Sequence, residues 1–131
     1  VLNYNGGPFV VRCLEHLVRT EWPAELLDLV VVDNASTDGS DAAIAERFPE
    51  VTLIQTGANL GFSGGNNAAL HDLRDVDFVA LVNNDAFVEP GWLAPLVDAL
   101  EADPGLGAAC PKILFAPRFR EIVIESPTVV L

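Results

Sequence analysis

Hydrophobic and polar positions alternate in blocks along this chain, and the block lengths predict a repeating strand–helix order. Val1 to Tyr4 reads as the end of a strand, and Asn5-Gly6-Gly7 as a turn. Pro8 suits a helix start, after which Phe9, Val10, Cys13, Leu14, Leu17 and Val18 recur with helical spacing until Trp22-Pro23 stops them. Leu29-Val30-Val31-Val32 is a continuous apolar run, as expected of a strand covered on both faces. A polar turn over 33–40 leads into a short helix, Asp41 to Phe48, ended by Pro49. Val51 to Ile54 is the next strand, followed by a glycine-rich loop from Gly57 to Gly65, a helix from Asn66 to Arg74, and a buried strand from Phe78 to Val82. Pro90 opens a further helix with Trp92, Leu93, Leu96, Val97 and Leu100 on its apolar face. Gly105 and Gly107 end it, and Ala108 to Phe115 and Glu121 to Glu125 read as extended.

Strands alternating with helices through short connections predict an α/β fold: a mostly parallel, doubly wound sheet in one domain over residues 1–131. Such sheets bind ligands at the carboxyl ends of their strands. The polar clusters Asn3-Tyr4-Asn5, Asp33-Asn34, Gly57 to Asn67 and Asn83-Asn84-Asp85 each follow a predicted strand, so they should gather on one edge. The opening within a strand and the apolar ending Val129-Val130-Leu131 are expected of a piece of a longer domain.

Composition narrows the chemistry. Nineteen acidic against seven basic residues give a formal charge of −12, a surface that repels nucleic acid and anionic headgroups. Phosphate on a small ligand must then be met locally, by backbone N–H groups or a divalent cation. Lys112 is the single lysine, which removes the P-loop as a solution. Cys13 and Cys110 form no CxxC pair and are expected to be reduced, buried thiols. No apolar run approaches the ~18 residues of a membrane span, and nothing in the chain points outside the cell, so a cytoplasmic location is expected, peripheral to the inner face of a membrane at most.

Each polar cluster has a chemical and a plain reading. Asp85 at the end of a buried strand could offer Mg²⁺ or Mn²⁺ a hard oxygen ligand beside a nucleotide diphosphate, or could be an exposed residue of a turn before Pro90. Asp33 and Asn34 could bond a pyrimidine ring or a ribose, while Ser36, Asp38 and Ser40 are competent helix caps. The stretch from Gly57 to Asn67, with four glycines and with Asn59, Asn66 and Asn67, matches neither GxGxxG nor GxxxxGK[ST]. It could bind sugar or phosphate, or simply join strand to helix. His16, His71, Trp22 and Trp92 read as helical or packing residues.

Taken in order, Asn3-Tyr4-Asn5-Gly6, Val31 to Ser40, Asn59-Leu60-Gly61-Phe62 with Gly64-Gly65-Asn66-Asn67, and Leu81 to Asp85 resemble family 2 of the inverting glycosyltransferases, notably its bacterial rhamnosyltransferase-like branch, over roughly residues 1 to 115. The resemblance implies a GT-A fold, incomplete at its C-terminal side, with a nucleotide-diphosphate sugar donor (UDP- or dTDP-linked, including dTDP-rhamnose) and Mg²⁺ or Mn²⁺. It implies a saccharide or lipid-linked acceptor and a role in cell-wall or polysaccharide synthesis. Carried over by position, Asn3, Tyr4, Asn5, Asp33, Asn34, Asn59, Gly61, Asn66, Asn67, Asn83 and Asn84 are the expected nucleotide-sugar contacts and Asp85 the metal ligand. The family's DxD motif here begins with Asn83, which leaves Asp85 as the main ligand. Its acidic general base has no match before Leu131; Glu121 and Glu125 are available but unmarked. A sugar-nucleotidyltransferase and a non-catalytic nucleotide-binding module of the same fold are the competing readings; the first normally needs a basic glycine-rich loop that Asn5-Gly6-Gly7-Pro8 does not provide.

Overall fold

A computed structural model describes residues 1–70 and 76–114. Its elements are β1 (Leu2–Asn3), α1 (Gly7–Leu17), a 3-10 turn (Ala24–Leu26), β2 (Val30–Asp33), α2 (Ser40–Arg47), β3 (Thr52–Gln55), α3 (Gly61–Ala68) and α4 (Ala94–Ala102). The three strands form one sheet in the order β1-β2-β3. Both pairings are parallel, with Leu2 opposite Val32, Asn3 opposite Asp33, and Val30 to Asp33 opposite Thr52 to Gln55.

Side chains on a strand alternate between faces, so neighbours in β2 serve different layers. Val31 joins the core that Val10, Cys13, Leu14 and Leu17 of α1 build with Ile44, Phe48 and Val51. Leu2, in register with Val32, instead meets α3, where a Cβ on buried Gly65 would collide with the Leu2 side chain. A larger residue there would require the Leu2 side chain to move. Leu14, Ile44, Val10 and Val31 are completely buried, and each such side chain is worth roughly 1.5–3 kcal/mol relative to exposure.

The strand expected over Phe78 to Val82 does not form. The segment touches the sheet through a single parallel bridge, Leu2 to Asn83, and Phe78, Val79 and Leu81 remain exposed. With Leu2 opposite Asn83 and β1 spanning Leu2–Asn3, the ladder is confined to that bridge, and the strand pattern of 78–82 finds no further pairing among the described residues. The bridge nevertheless sets Asn83 on the edge of β1 opposite β2. Sequence runs one way from β1 to β3 and the other way from β1 to Asn83, which makes this the crevice where strand order reverses.

Other boundaries moved for local reasons. The first helix ends at Leu17, well before Trp22, and leaves Phe9 and Val18 exposed. The helix expected from Asn66 begins at Gly61, inside the glycine-rich loop. That start is prepared by asparagines: the Asn34 side-chain oxygen accepts the Leu60 N–H at 2.9 Å and that of Asn59 accepts the Gly61 N–H at 2.9 Å. The helix expected from Pro90 begins at Ala94, with Pro95 in its first turn, where a missing N–H costs nothing. Residues 108–114 are exposed and unpaired by any strand, and Cys110 is exposed rather than buried. Residues 71–75, which include His71 and the end of the expected helix at Arg74, lie outside the described residues, as do Phe115, Glu121 and Glu125.

Candidate functional site

The carboxyl ends of β1 and β2 are fastened together by one buried amide. Asn3 donates from Nδ2 to Asp33 Oδ1 (2.8 Å), Ser36 Oγ (3.1 Å) and Ser40 Oγ (2.8 Å). Its oxygen accepts the Gly6 N–H at 3.2 Å and faces Asn84 Nδ2 at 3.5 Å. Asp33 Oδ2 accepts the Ser36 N–H at 3.0 Å, so both carboxylate oxygens are engaged. A side chain at Gly6 would strike Asn3 Oδ1 and come within 2.8 Å of Asn84 Nδ2. Glycine there is what lets the Asn3 and Asn84 side chains approach each other.

A second amide ties β2 to the glycine-rich segment. Asn34 Nδ2 donates to Asn59 Oδ1 (2.9 Å) and the Gly61 carbonyl (3.2 Å). Its oxygen accepts from the Leu60 N–H and from Thr56 Oγ1 at 3.3 Å. Buried amides bonded this fully fix the loops around them, each bond netting about 1 kcal/mol. Nearer the surface, Asn5 Oδ1 accepts the Thr37 N–H and Asp38 Oδ2 the Gly7 N–H, both at 2.8 Å. Asn5 and Ala35 adopt left-handed φ values of 52° and 64° in these turns; asparagine visits that region readily, alanine at a cost of roughly 1–2 kcal/mol. The Ser40 hydroxyl and backbone N–H, with Gly7 N–H, hold the exposed Asp38 carboxyl below the usual carboxylate range.

In front of this frame lies an open cleft of about 380 Å³, at the lower end of the range for small-molecule sites. Tyr4, Asn66, Asn83, Asn84 and Asp85 line it, with Leu2, Phe62, Leu81 and Val82 as its apolar wall. Of the expected site residues, these five polar ones are therefore brought together. Asn3, Asp33 and Asn34 sit behind them, 0–3% exposed and bonded internally. Asn5 is on the rim, Asn59 and Gly61 brace the start of α3, and Asn67 is exposed on that helix. Ser36, Ser40 and Thr56 emerge as frame residues; the two serines had read only as caps, and Thr56 carried no signal beyond following a strand. Gly39 instead takes the cap position of α2, with φ 82°.

Asp85 is the one carboxylate on the cleft wall, and among the described residues no group of three or more His, Cys, Asp and Glu could hold a metal alone. A single carboxylate flanked by amides suits a hard cation that draws its remaining oxygens from a ligand and water, the usual manner of Mg²⁺ with phosphates. Behind the cleft, burial pushes the Cys13 thiol up to about 11, with the chain's amino terminus opposing the shift and Asp85 reinforcing it. Cys13 Sγ lies 3.4 Å from the Asn83 carbonyl. With a chromogenic disulfide reagent at about pH 8, Cys110 is expected to react quickly and Cys13 only on unfolding; two fast thiols would contradict this placement.

A parallel sheet flanked by helices, with its polar cleft at the reversal of strand order, is the architecture of the GT-A glycosyltransferases. The chain belongs to glycosyltransferase family 2, whose model, "Glycosyl transferase family 2", matches residues 1–122. It is 35% identical over 123 residues to an N-acetylglucosaminyl-diphospho-decaprenol L-rhamnosyltransferase of Mycobacterium tuberculosis, an alignment covering 86% of this chain and 39% of that protein. This chain thus spans about two-fifths of the length of that relative. Among solved structures it is similar to the mannosyltransferase PcManGT from Pyrobaculum calidifontis, in complex with GDP-Man and Mn²⁺, with a TM-score of 0.68 and 30% identity over 81% of this chain and 32% of that one. TarS of S. aureus (residues 1–349, in complex with UDP) has a TM-score of 0.66 and 23% identity, covering 77% of this chain and 30% of that one, and supports the fold alone.

Proposed function

We propose that this chain is the donor-binding part of a glycosyltransferase that moves a sugar, with inversion, from a UDP- or dTDP-linked donor to a saccharide or lipid-linked acceptor, assisted by Mg²⁺ or Mn²⁺. The observation that carries the reading is the cleft itself: Asp85, Asn84, Tyr4 and Asn66 face one another where strand order reverses. Membership of family 2 and the rhamnosyltransferase relative support sugar transfer, and that relative's name favours dTDP-rhamnose and a polyprenyl-diphosphate acceptor. The Mn²⁺ and GDP-Man in the complex of the Pyrobaculum calidifontis neighbour support a metal-assisted nucleotide-sugar donor.

In this reading Asp85 would hold the cation, which when bound would supply positive charge to offset that of a diphosphate leaving group. Asn83 and Asn84 flank it with neutral amides that do not repel phosphate, a useful property in a chain of charge −12. Tyr4 and Phe62 offer flat apolar surface to the base or sugar, and Asn66, one turn on from Phe62 in α3, a polar contact beside it. Asn3, Asp33 and Asn34 keep the walls in place from behind instead of touching the donor. Among the described residues Asp85 is the one carboxylate lining the cleft, and no general base is assigned to it or to another described residue. Among the described residues no helix is long and apolar enough to cross a membrane; a peripheral position on the inner face, near lipid-linked acceptors, accords with the reading.

The test is calorimetric titration of UDP and dTDP into the chain, first with Mn²⁺ and then with EDTA. Tighter binding in Mn²⁺ is expected, with the stronger of the two nucleotides naming the base. Equal binding under both conditions would sink the metal-assisted reading. A nucleotidyltransferase would instead release pyrophosphate from a sugar phosphate and a nucleoside triphosphate.

A further inference from the structure

We propose that Arg12 and His16 of α1 are positioning residues for Asp85, acting through Phe87 and Val88; the inference rests on the donor-site reading of Asp85. One backbone hydrogen bond, from the Ala86 N–H to the Asn83 carbonyl at 3.1 Å, closes the turn that carries this carboxylate, but it does not fix how the turn sits on the fold. Residues 83–90 form no helix or strand, and their ladder to the sheet is the single bridge at Asn83. Asp85 itself makes no hydrogen bond among the described residues. Something else must set where its carboxylate sits.

The helix supplies that restraint. Arg12 and His16, four residues apart, share one face of α1. The Arg12 guanidinium carbon lies 4.4 Å from the centroid of the Phe87 ring, and the His16 ring lies 5.4 Å from the same centroid at 35°. His16 Nδ1 is 2.9 Å from the Val88 carbonyl oxygen. A carbonyl only accepts, so Nδ1 carries the proton and the contact is directional. The two side chains therefore fix both the side chain of Phe87 and the backbone one residue on.

Further contacts continue this pairing at both ends of the segment. Cys13 Sγ meets the Asn83 carbonyl before the turn. Past it, the Glu21 N–H donates to the Pro90 carbonyl at 2.8 Å, and Trp92 Nε1 donates to Thr20 Oγ1 at 3.0 Å. From residue 83 to residue 92 the segment is held along α1 and the turn that follows it, and Asn84 reaches Asn3 in front. Asp85 projects into the cleft between two held ends.

The same titrations of UDP and dTDP, in Mn²⁺ and in EDTA, test this with His16→Ala, His16→Asn and Arg12→Gln. His16→Ala is expected to weaken the Mn²⁺-dependent affinity about tenfold, the combined worth of one hydrogen bond and one ring contact, and to leave the residual affinity in EDTA unchanged. Arg12→Gln, at an exposed position that does not threaten folding, moves it in the same direction by less. His16→Asn recovers part of the loss, because its Nδ2 can stand where Nδ1 stood and donate to Val88. Variants that keep the full Mn²⁺ effect, or that lose affinity equally in Mn²⁺ and EDTA, overturn the positioning role while wild-type binding stands. A wild type without any Mn²⁺ effect overturns the donor-site reading and this inference with it.

Discussion

Asp85→Ala is expected to abolish the Mn²⁺-dependent part of UDP or dTDP binding, a loss of at least about 100-fold, the upper end of what a metal site loses when a mere outer-sphere partner is removed. The size follows from the composition of the cleft. Among the described residues Asp85 is its only carboxylate, flanked by the amides of Asn83 and Asn84. None of the other described residues lining it is an acid that could take over a cation, as a paired aspartate could. Asn83→Asp therefore tests the same point from the other side: a second carboxylate should strengthen metal binding. Because Asp85 is exposed and makes no hydrogen bond among the described residues, Asp85→Ala should melt within about a degree or two of the wild type, as a surface change does. Retained metal dependence in Asp85→Ala would move the cation elsewhere.

Asn3→Asp changes one atom and is expected to destabilise the fold by roughly 3 kcal/mol or more near neutral pH. The new oxygen would replace the Nδ2 that now donates at 2.8 Å to Asp33 Oδ1, in a region 0–3% exposed. Two carboxylates at that distance cannot both be charged, so one of the pair must keep its proton in the folded chain. In the unfolded chain both ionise near pH 4. The folded variant thus binds more protons than the unfolded one above that value, and its stability falls as pH rises. Thermal melts of variant and wild type at about pH 7 and about pH 4.5 read this directly. A deficit that does not shrink on acidification would mean that Asn3 matters through shape instead of its donor.

Much of the fold was legible because it depends on local pattern. The β-branched run Val30 to Val32 has few alternatives to a covered strand, and the spacing of Val10, Cys13, Leu14 and Leu17 permits only one buried helical face. What was not legible depends on partners. Phe78 to Val82 has the composition of a strand, but composition does not supply ladder partners, and the segment meets β1 through the Asn83 bridge alone among the described residues. The start of α3 is decided by Asn34 and Asn59, one of them far away in sequence, so helix propensity alone placed it five residues late. At the site, the convergence of Tyr4, Asn66, Asn83, Asn84 and Asp85 followed from strand ends. The inward direction of Asn3, Asp33 and Asn34 did not, since an amide after a strand serves a ligand or a neighbouring loop equally well until that loop is in place.

The web around Asn3 and Asn34 also bears on the thermodynamics of donor capture. Every buried polar side-chain atom among the described residues has its partner within the protein. The loops after β1 and β2 are therefore already ordered before a nucleotide arrives, and binding need not spend free energy on freezing them. The Asp85 turn, held along α1 at both of its ends, is likewise in place, so what a donor would still have to bring is a cation. Affinity for the nucleoside half should then be governed by fit, and discrimination between charged and uncharged ligands by the cation at the turn. Two adjoining stretches of one cleft wall, both set beforehand by the protein, would divide recognition between them.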